Sequence, residues 1–256
     1  MKKLLKVMLV MVLAVMVTAC GGNSNEKTES KAETVKVTIG VSPDYAPYES
    51  LDTNNKVVGF DPDMVALFPS YLNTDGKKYE FEWVTMDFDN ICTQLQAGQL
   101  DLGISGFTYA EDRVVEWSVP YTATAQVAIM KKGSSIKSAA DLEGKTLAAQ
   151  TSATGETVAK GIKNAKVESL KDVKIIFQGL AAGQYDAAVV DLAVAQNYVK
   201  NGDFEMLDGS LLDEKNYIVA KKGNTEMIKV INTALEKFLA SEDYTKLCEK
   251  YGLKKL

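Results

Sequence analysis

Arg113 is the only arginine among 256 residues; every other basic side chain is lysine. A guanidinium is a rigid fork that grips a carboxylate through two parallel hydrogen bonds, which a lysine ammonium does not do. Arg113 lies a few residues beyond the apolar run Leu102–Ile104, and Asp191 directly follows a second such run, Ala187–Val190. Small hydroxyl-bearing and backbone-exposing residues follow other apolar runs: Ser42, Asp44 and Tyr45 after the first, Ser105, Gly106, Phe107 and Thr108 before Arg113, and Gln150, Ser152, Ala153 and Thr154 after a third. Hydroxyls and a helix N-terminus suit an anion, and a single carboxylate suits a cation. Together they suit a zwitterion. Asp191 has a second reading, as the N-cap of the helix that follows it.

The chemistry left out is equally informative. The chain has no histidine, which removes Ser-His-Asp and Cys-His nucleophile systems and histidine-based metal sites. No Gly-rich phosphate loop with its lysine occurs. The formal net charge is −5 with the two signs mixed along the chain, and nothing forms the basic patch that nucleic acid requires. No catalytic residue, metal or cofactor is expected.

These residues need elements to hold them. Val35–Val41 alternates apolar and polar, as a strand does. Asp61-Pro62 predicts a helix start, Asp at the N-cap and Pro in the first turn, and Pro69 should end or kink that helix. Helices are predicted over Phe88–Leu95, from Thr154 onward, after Asp191, over Met227–Leu239 and over Glu242–Tyr251. Strands are predicted over Gln126–Met130, Thr146–Ala149 and Tyr217–Ala220. A short helix and turn is predicted at Asp141–Lys145, and a polar loop near 208–216. An internal repeat ties the pattern together. Leu95-Gln-Ala-Gly-Gln-Leu-Asp101 and Leu180-Ala-Ala-Gly-Gln-Tyr-Asp186 each precede an apolar run. Helix, glycine turn and buried strand, twice over, point to parallel sheets in an α/β architecture of two similar lobes.

The first twenty residues read as an export signal. Lys2, Lys3 and Lys6 give a positive start, and the apolar run Leu4–Val17, broken only by Lys6, is too short for a comfortable membrane span and leads into Val17-Thr18-Ala19-Cys20. That ending resembles the lipobox of bacterial lipoproteins, which implies cleavage before Cys20 and a diacylglycerol on its thiol. Residues 20–34 would be a lipidated, solvated tether. Cys92 and Cys248 are left, either paired or as two isolated thiols.

From Val35 to Leu256 the chain resembles the polar amino-acid family of solute-binding proteins that serve ATP-driven importers. The resemblance rests on Tyr45-Ala-Pro-Tyr-Glu49, Val58-Gly-Phe-Asp-Pro-Asp63, Gln94–Asp101, Ser105–Arg113, Val119-Pro-Tyr121, Leu142-Glu-Gly-Lys145, Gly183-Gln-Tyr-Asp-Ala187, Asp191, Lys222-Gly-Asn224 and Tyr244-Thr-Lys-Leu247. It implies the two-lobed periplasmic-binding-protein fold of type II, with two crossover strands. Lobe 1 would comprise 35–124 and 215–256, and lobe 2 would comprise 125–214.

It also implies roles. Arg113 would hold the α-carboxylate of a free amino acid with Thr108, Thr154 and backbone N–H groups, including those near Ser152 and Ala153. Asp191 would take the α-ammonium with Ser105 and Gly106. Tyr45 and Phe88 would sandwich the side chain, while Trp117 belongs to packing. Ser42 stands where members selective for cationic or amide side chains often carry Asp. It therefore predicts a polar neutral or sulfur-containing ligand, unless Asp44 or Glu49 points inward. Ser152-Ala153 replaces a common Gly-Thr, and Tyr109-Ala110 an apolar-Thr pair. The expected protein is a monomer, lipid-anchored at the outer face of the cytoplasmic membrane or facing the periplasm, that hands its ligand to the permease of an ABC importer. A dehydratase of the same fold, or a ligand-sensing module, is the alternative.

Overall fold

The computed structural model describes residues 33–73 and 76–256. Cys20, its signal and most of the tether lie outside the described residues. Among those described, no helix is long and apolar enough to cross a membrane, and no cluster of acidic and cysteine residues could hold a metal ion.

Two main sheets organise the chain. The first has five strands in the order Lys77–Thr85, Glu33–Val41, Leu102–Gly103, Val219–Lys221 and Val115–Trp117. Its first three strands are parallel. The second sheet orders Lys166–Leu170, Thr146–Gln150, Ala187–Asp191, Thr122–Lys131 and Phe204–Met206, with Leu212–Asn216 also paired to Thr122–Lys131. A small three-stranded sheet, Asp44–Tyr45, Glu49–Leu51 and Val57–Val58, adjoins the first.

The two copies of the repeat fall one in each main sheet. Helix Phe88–Ala97 turns at Gly98 (φ 72°) into the strand Leu102–Gly103. Helix Val173–Ala181 is followed by Gly183 (φ 75°) and the strand Ala187–Asp191. Only a residue without Cβ takes that left-handed turn at no steric cost. Ala187–Val190 is buried at every position, which explains its continuous apolar run: a strand covered on both faces has no polar side. Phe60, Met64, Phe68, Ile231, Leu235 and Phe238 pack under one face of the first sheet, and Phe88, Ile91, Leu95, Phe107 and Val219 under the other.

Two strands run between the sheets. The first half of Thr122–Lys131 pairs antiparallel with Leu212–Asn216, and its second half joins Ala187–Asp191. Asn216 locks this crossing. It is fully buried; its Oδ1 accepts from Tyr48 Oη (3.0 Å) and Thr122 Oγ1 (2.8 Å), and its Nδ2 donates to the Gly106 carbonyl (3.0 Å).

Two expectations are corrected. The loop expected near 208–216 contains the strand Leu212–Asn216; the run Leu-Asp-Glu-Lys-Asn carries too little apolar character to announce itself, because its partner strand supplies the pairing. The helix expected to start on Asp61 begins at Phe60 with Gly59 as its N-cap, which leaves the Asp61 carboxyl buried elsewhere. That helix runs through Pro69 to Leu72, so Pro69 does not end it. The terminal helix Glu242–Tyr251 matches expectation: Ser241 Oγ accepts from the Tyr244 N–H (3.3 Å) and Gly252 closes it at φ 69°. Cys92 and Cys248 are separate free thiols.

Candidate functional site

Strand ends of both sheets converge on one small cavity. It is lined by Tyr45, Phe88, Ser105, Gly106, Thr108, Arg113, Gln150, Ala153, Thr154 and Asp191. Ser105 to Thr108 follow a strand of the first sheet, while Gln150 and Asp191 end strands of the second. This is where parallel sheets place ligands. The space is only about 10 Å³, room for about one water, so an amino acid enters only if the two sheets part. A larger open groove of about 830 Å³ runs between Val57, Pro62 and Trp83. We assign the site to the small cavity because it gathers the cation, the carboxylate and the hydroxyls.

Arg113 sits in the loop after Leu102–Gly103. Its Nη1 donates to the Thr108 carbonyl and its Nη2 to the Ser152 carbonyl, both at 2.6 Å. Its guanidinium carbon is 5.5 Å from the centres of both the Phe88 and Phe107 rings, a cation–π cradle that fixes the plane of the fork. Burial lowers its pKa from the usual value. Ser152 holds a left-handed conformation, φ 65°, a region that glycine enters more readily than serine. That conformation presents the Ser152 carbonyl to Arg113.

Beside the fork lies a relay of hydroxyls. Thr154 Oγ1 bonds Glu214 Oε2 (2.9 Å) and Thr108 Oγ1 (2.8 Å), and either threonine hydroxyl can donate in the second of these bonds. Gln126 Nε2 donates to Thr154 Oγ1 (3.1 Å) and to Glu214 Oε2 (2.8 Å). Burial raises the Glu214 carboxyl above its ordinary range. Thr154 is held against the second sheet because Gly155 follows it. A Cβ there would stand 2.7 Å from the Val189 carbonyl.

Asp191 occupies the N-cap position of helix Leu192–Val199, but its side chain does not cap. Oδ1 accepts from Thr124 Oγ1 (2.9 Å) and Oδ2 from Tyr45 Oη. Burial pushes its carboxyl up to about 7, against hydrogen bonds that lower it. The two charged groups therefore come from different sheets and meet at one cavity.

Of the eleven ligand-binding residues expected from sequence, nine line the cavity. Ser152 contributes its carbonyl to Arg113 from just outside. Ser42 is one layer back: its N–H donates to Ser105 Oγ (3.1 Å) and its hydroxyl to Asp44 Oδ1 (2.7 Å). Sequence reasoning missed Thr124, Gln126 and Glu214. All three lie on the two crossing strands, and Glu214 falls in the segment read as a loop. Alternation along Thr122–Lys131 was the available signal for the first two.

Residues 37–254 match the profile of bacterial extracellular solute-binding proteins, family 3. The chain is 32% identical over 252 residues to a "Probable histidine-binding protein" of Neisseria gonorrhoeae, covering 94% of this chain and 92% of that one. It is 31% identical over 260 residues to the arginine-binding extracellular protein ArtP of Bacillus subtilis (strain 168), covering 98% of each. Among solved structures, the substrate-binding protein of an amino acid ABC transporter matches with a TM-score of 0.79 at 31% identity, over 85% of this chain and 99% of that one.

Proposed function

The chain belongs to family 3 of the bacterial extracellular solute-binding proteins, and on that premise we propose that it captures one free amino acid outside the cytoplasm and delivers it to the permease of an ABC importer. The observation that carries this reading is the meeting of Arg113 and Asp191 at a single cavity between the sheets. A zwitterion satisfies both at once and so bridges two bodies that otherwise part. Arg113 takes the α-carboxylate with Thr108 and the start of helix Thr154–Gly161, and Asp191 takes the α-ammonium with Ser105. Ligand then favours the closed state by its differential affinity for it. The lobes are 35–124 with 215–256, and 125–214. Cys20 anchors the chain as a lipoprotein, and it acts as a monomer.

The side chain of the ligand meets a different wall. Gln150 spends its amide nitrogen on Asp44 Oδ2 (3.1 Å) and the Lys171 carbonyl (3.0 Å), leaving its oxygen to face the cavity it lines. Asp44, buried behind it, keeps a carboxyl close to that wall. An acceptor backed by a carboxylate suits an amide or cationic side chain. This revises the neutral or sulfur-containing ligand that Ser42 alone predicts.

The test is a thermal-shift screen of the twenty amino acids with cystine and ornithine, followed by calorimetry. A ligand at 100 to 1,000 times its dissociation constant stabilises the fold by about 3–4 kcal/mol. Binding of none of these amino acids rejects the reading; turnover of a prephenate-like acid replaces it with the dehydratase. Retention of the Cys20→Ala variant at the membrane, with unchanged mass, rejects the anchor.

A further inference from the structure

Two acids that do not line the cavity lie behind it. Glu49, on the small sheet, and Asp61, on the first turn of helix Phe60–Leu72, are both completely buried. Ser105 Oγ donates to Glu49 Oε1 (2.7 Å), and Tyr121 Oη donates to Asp61 Oδ2 (3.2 Å). The two remaining oxygens, Glu49 Oε2 and Asp61 Oδ1, take no donor from the described residues, and the Asp61 N–H donates to the carbonyl of Tyr48 (3.0 Å), the residue before Glu49, which sets the two acids side by side.

No cation balances them. Among the described residues neither joins an ion pair, and the titratable groups facing them are Tyr48, Tyr121, Asp44 and, beyond Tyr48, Asp191. Two neighbouring ionised carboxylates, sealed from water among acids and phenols, are strongly disfavoured; one such group stays protonated. Burial raises both carboxyls, in agreement with the geometry.

We propose that Glu49 and Asp61 share one proton and act as a single positioning unit that fixes Ser105 as a hydrogen-bond acceptor toward the ligand ammonium. Ser105 has one proton, and Glu49 takes it. Its oxygen already accepts the Ser42 N–H (3.1 Å), and the lone pair left over belongs to the cavity that Ser105 lines. Ser105 is thereby barred from donating to the ligand carboxylate. All of these groups sit on the first sheet and its attached elements, so the arrangement does not depend on the cleft being closed. The ligand part of this inference rests on the amino-acid reading above, whereas the shared proton does not.

Two measurements test it. The first is infrared difference spectroscopy at pH 8 between wild type and Glu49→Gln. A protonated-carboxyl carbonyl band present in wild type and lost in the variant is the expected result; a band absent from wild type, or unchanged in Glu49→Gln, overturns the proposal whatever the protein binds. The second is calorimetry with the amino acid that shifts the melting temperature most. Glu49→Leu removes the acceptor for Ser105, and affinity should fall about tenfold or more, as expected when a buried polar group loses its partner. Glu49→Gln offers Asp61 a donor and Ser105 an acceptor, and should recover affinity to within about threefold. Equal losses in the two variants overturn the proposal. If Glu49→Leu does not fold, Ser105→Ala takes its place as the low-affinity reference.

Discussion

The Tyr45 hydroxyl donates to Asp191 across the cleft, and the Asp191 N–H in turn donates to the Tyr45 oxygen at 3.3 Å. A carboxylate suited to an ammonium is thus bonded by the protein itself when the cleft is closed. A ligand ammonium must displace that hydroxyl. Tyr45→Phe removes the competitor while keeping the ring, and a hydrogen bond to a charged group contributes about 1.5–3 kcal/mol. Calorimetry should show ligand affinity raised about tenfold or more. A tenfold loss instead would mean that the hydroxyl serves the ligand directly.

Asp191 also predicts a pH dependence. Its carboxyl is raised from 3.8 to about 7 by burial, so in the closed protein it is largely neutral below pH 7. A neutral carboxyl does not pair with an ammonium. Affinity should therefore fall as pH drops below about 7, approaching one decade per pH unit. The stability of the protein without ligand moves the other way. A raised carboxyl favours the folded form while it stays protonated, and that advantage is lost as pH rises from about 4 through 7. Calorimetry and melting curves between pH 5 and 8 check both slopes, and Asp191→Asn should abolish both.

Much of this was legible because local signals agreed with global ones. The repeat at Leu95 and Leu180, the caps at Ser241 and Gly252, and the lone Arg113 each follow from side-chain chemistry within a few residues of sequence. Glu214 and the strand that carries it were not legible. Leu212–Asn216 has one apolar residue in five, and its conformation comes from pairing with Thr122–Lys131, about ninety residues earlier. Asp61 was misread for a related reason: its type suits an N-cap, but Tyr121 bonds its carboxyl from 60 residues away, a contact that no short sequence window contains.

Asp44 joins the two halves independently of ligand. Its Oδ2 accepts from the Val173 N–H (2.7 Å), at the start of a helix of the second sheet, and from Gln150 (3.1 Å). The carboxylate thus caps a helix that already has its own cap in Asp172, and it complements the positive end of the helix dipole. Exposed ion pairs from Lys171 to Asp87 and Asp89 span the same gap, but pairs in water contribute little. Asp44→Ala orphans the Val173 N–H, a loss of about 1–2 kcal/mol by analogy with cap removal. Small-angle scattering should find the protein without ligand more extended in the variant, with the ligand-bound form unchanged. Affinity should drop about 5- to 30-fold, because ligand must now supply the closure energy. Identical scattering of the two unliganded proteins would remove Asp44 from the closing mechanism.

Arg113 carries the most demanding prediction. Its fork is held flat by Phe88 and Phe107 and now donates to two carbonyls, of Thr108 and Ser152. Carbonyls are dipoles and do not neutralise a guanidinium; a carboxylate in their place does. Once the cleft closes on an amino acid, that carboxylate is cut off from water, and its charge must be matched by fixed donors. Arg113→Met removes the counter-charge and leaves a buried anion. Breaking a buried pair in this way costs about 3–5 kcal/mol, or roughly 150- to 5,000-fold in affinity. Arg113→Lys keeps the charge but has neither the two parallel donors nor the planar face that stacks on the rings, so its affinity should fall between the two. The fold should survive both changes: the guanidinium bonds only to loop carbonyls, and Phe88 and Phe107 pack on each other with ring centres 4.7 Å apart. Titration calorimetry of the three proteins, beside circular dichroism, reads affinity and fold separately. Wild-type affinity in a folded Arg113→Met protein would reduce Arg113 to a lid over the two rings and move the carboxylate to the Thr154 helix start alone.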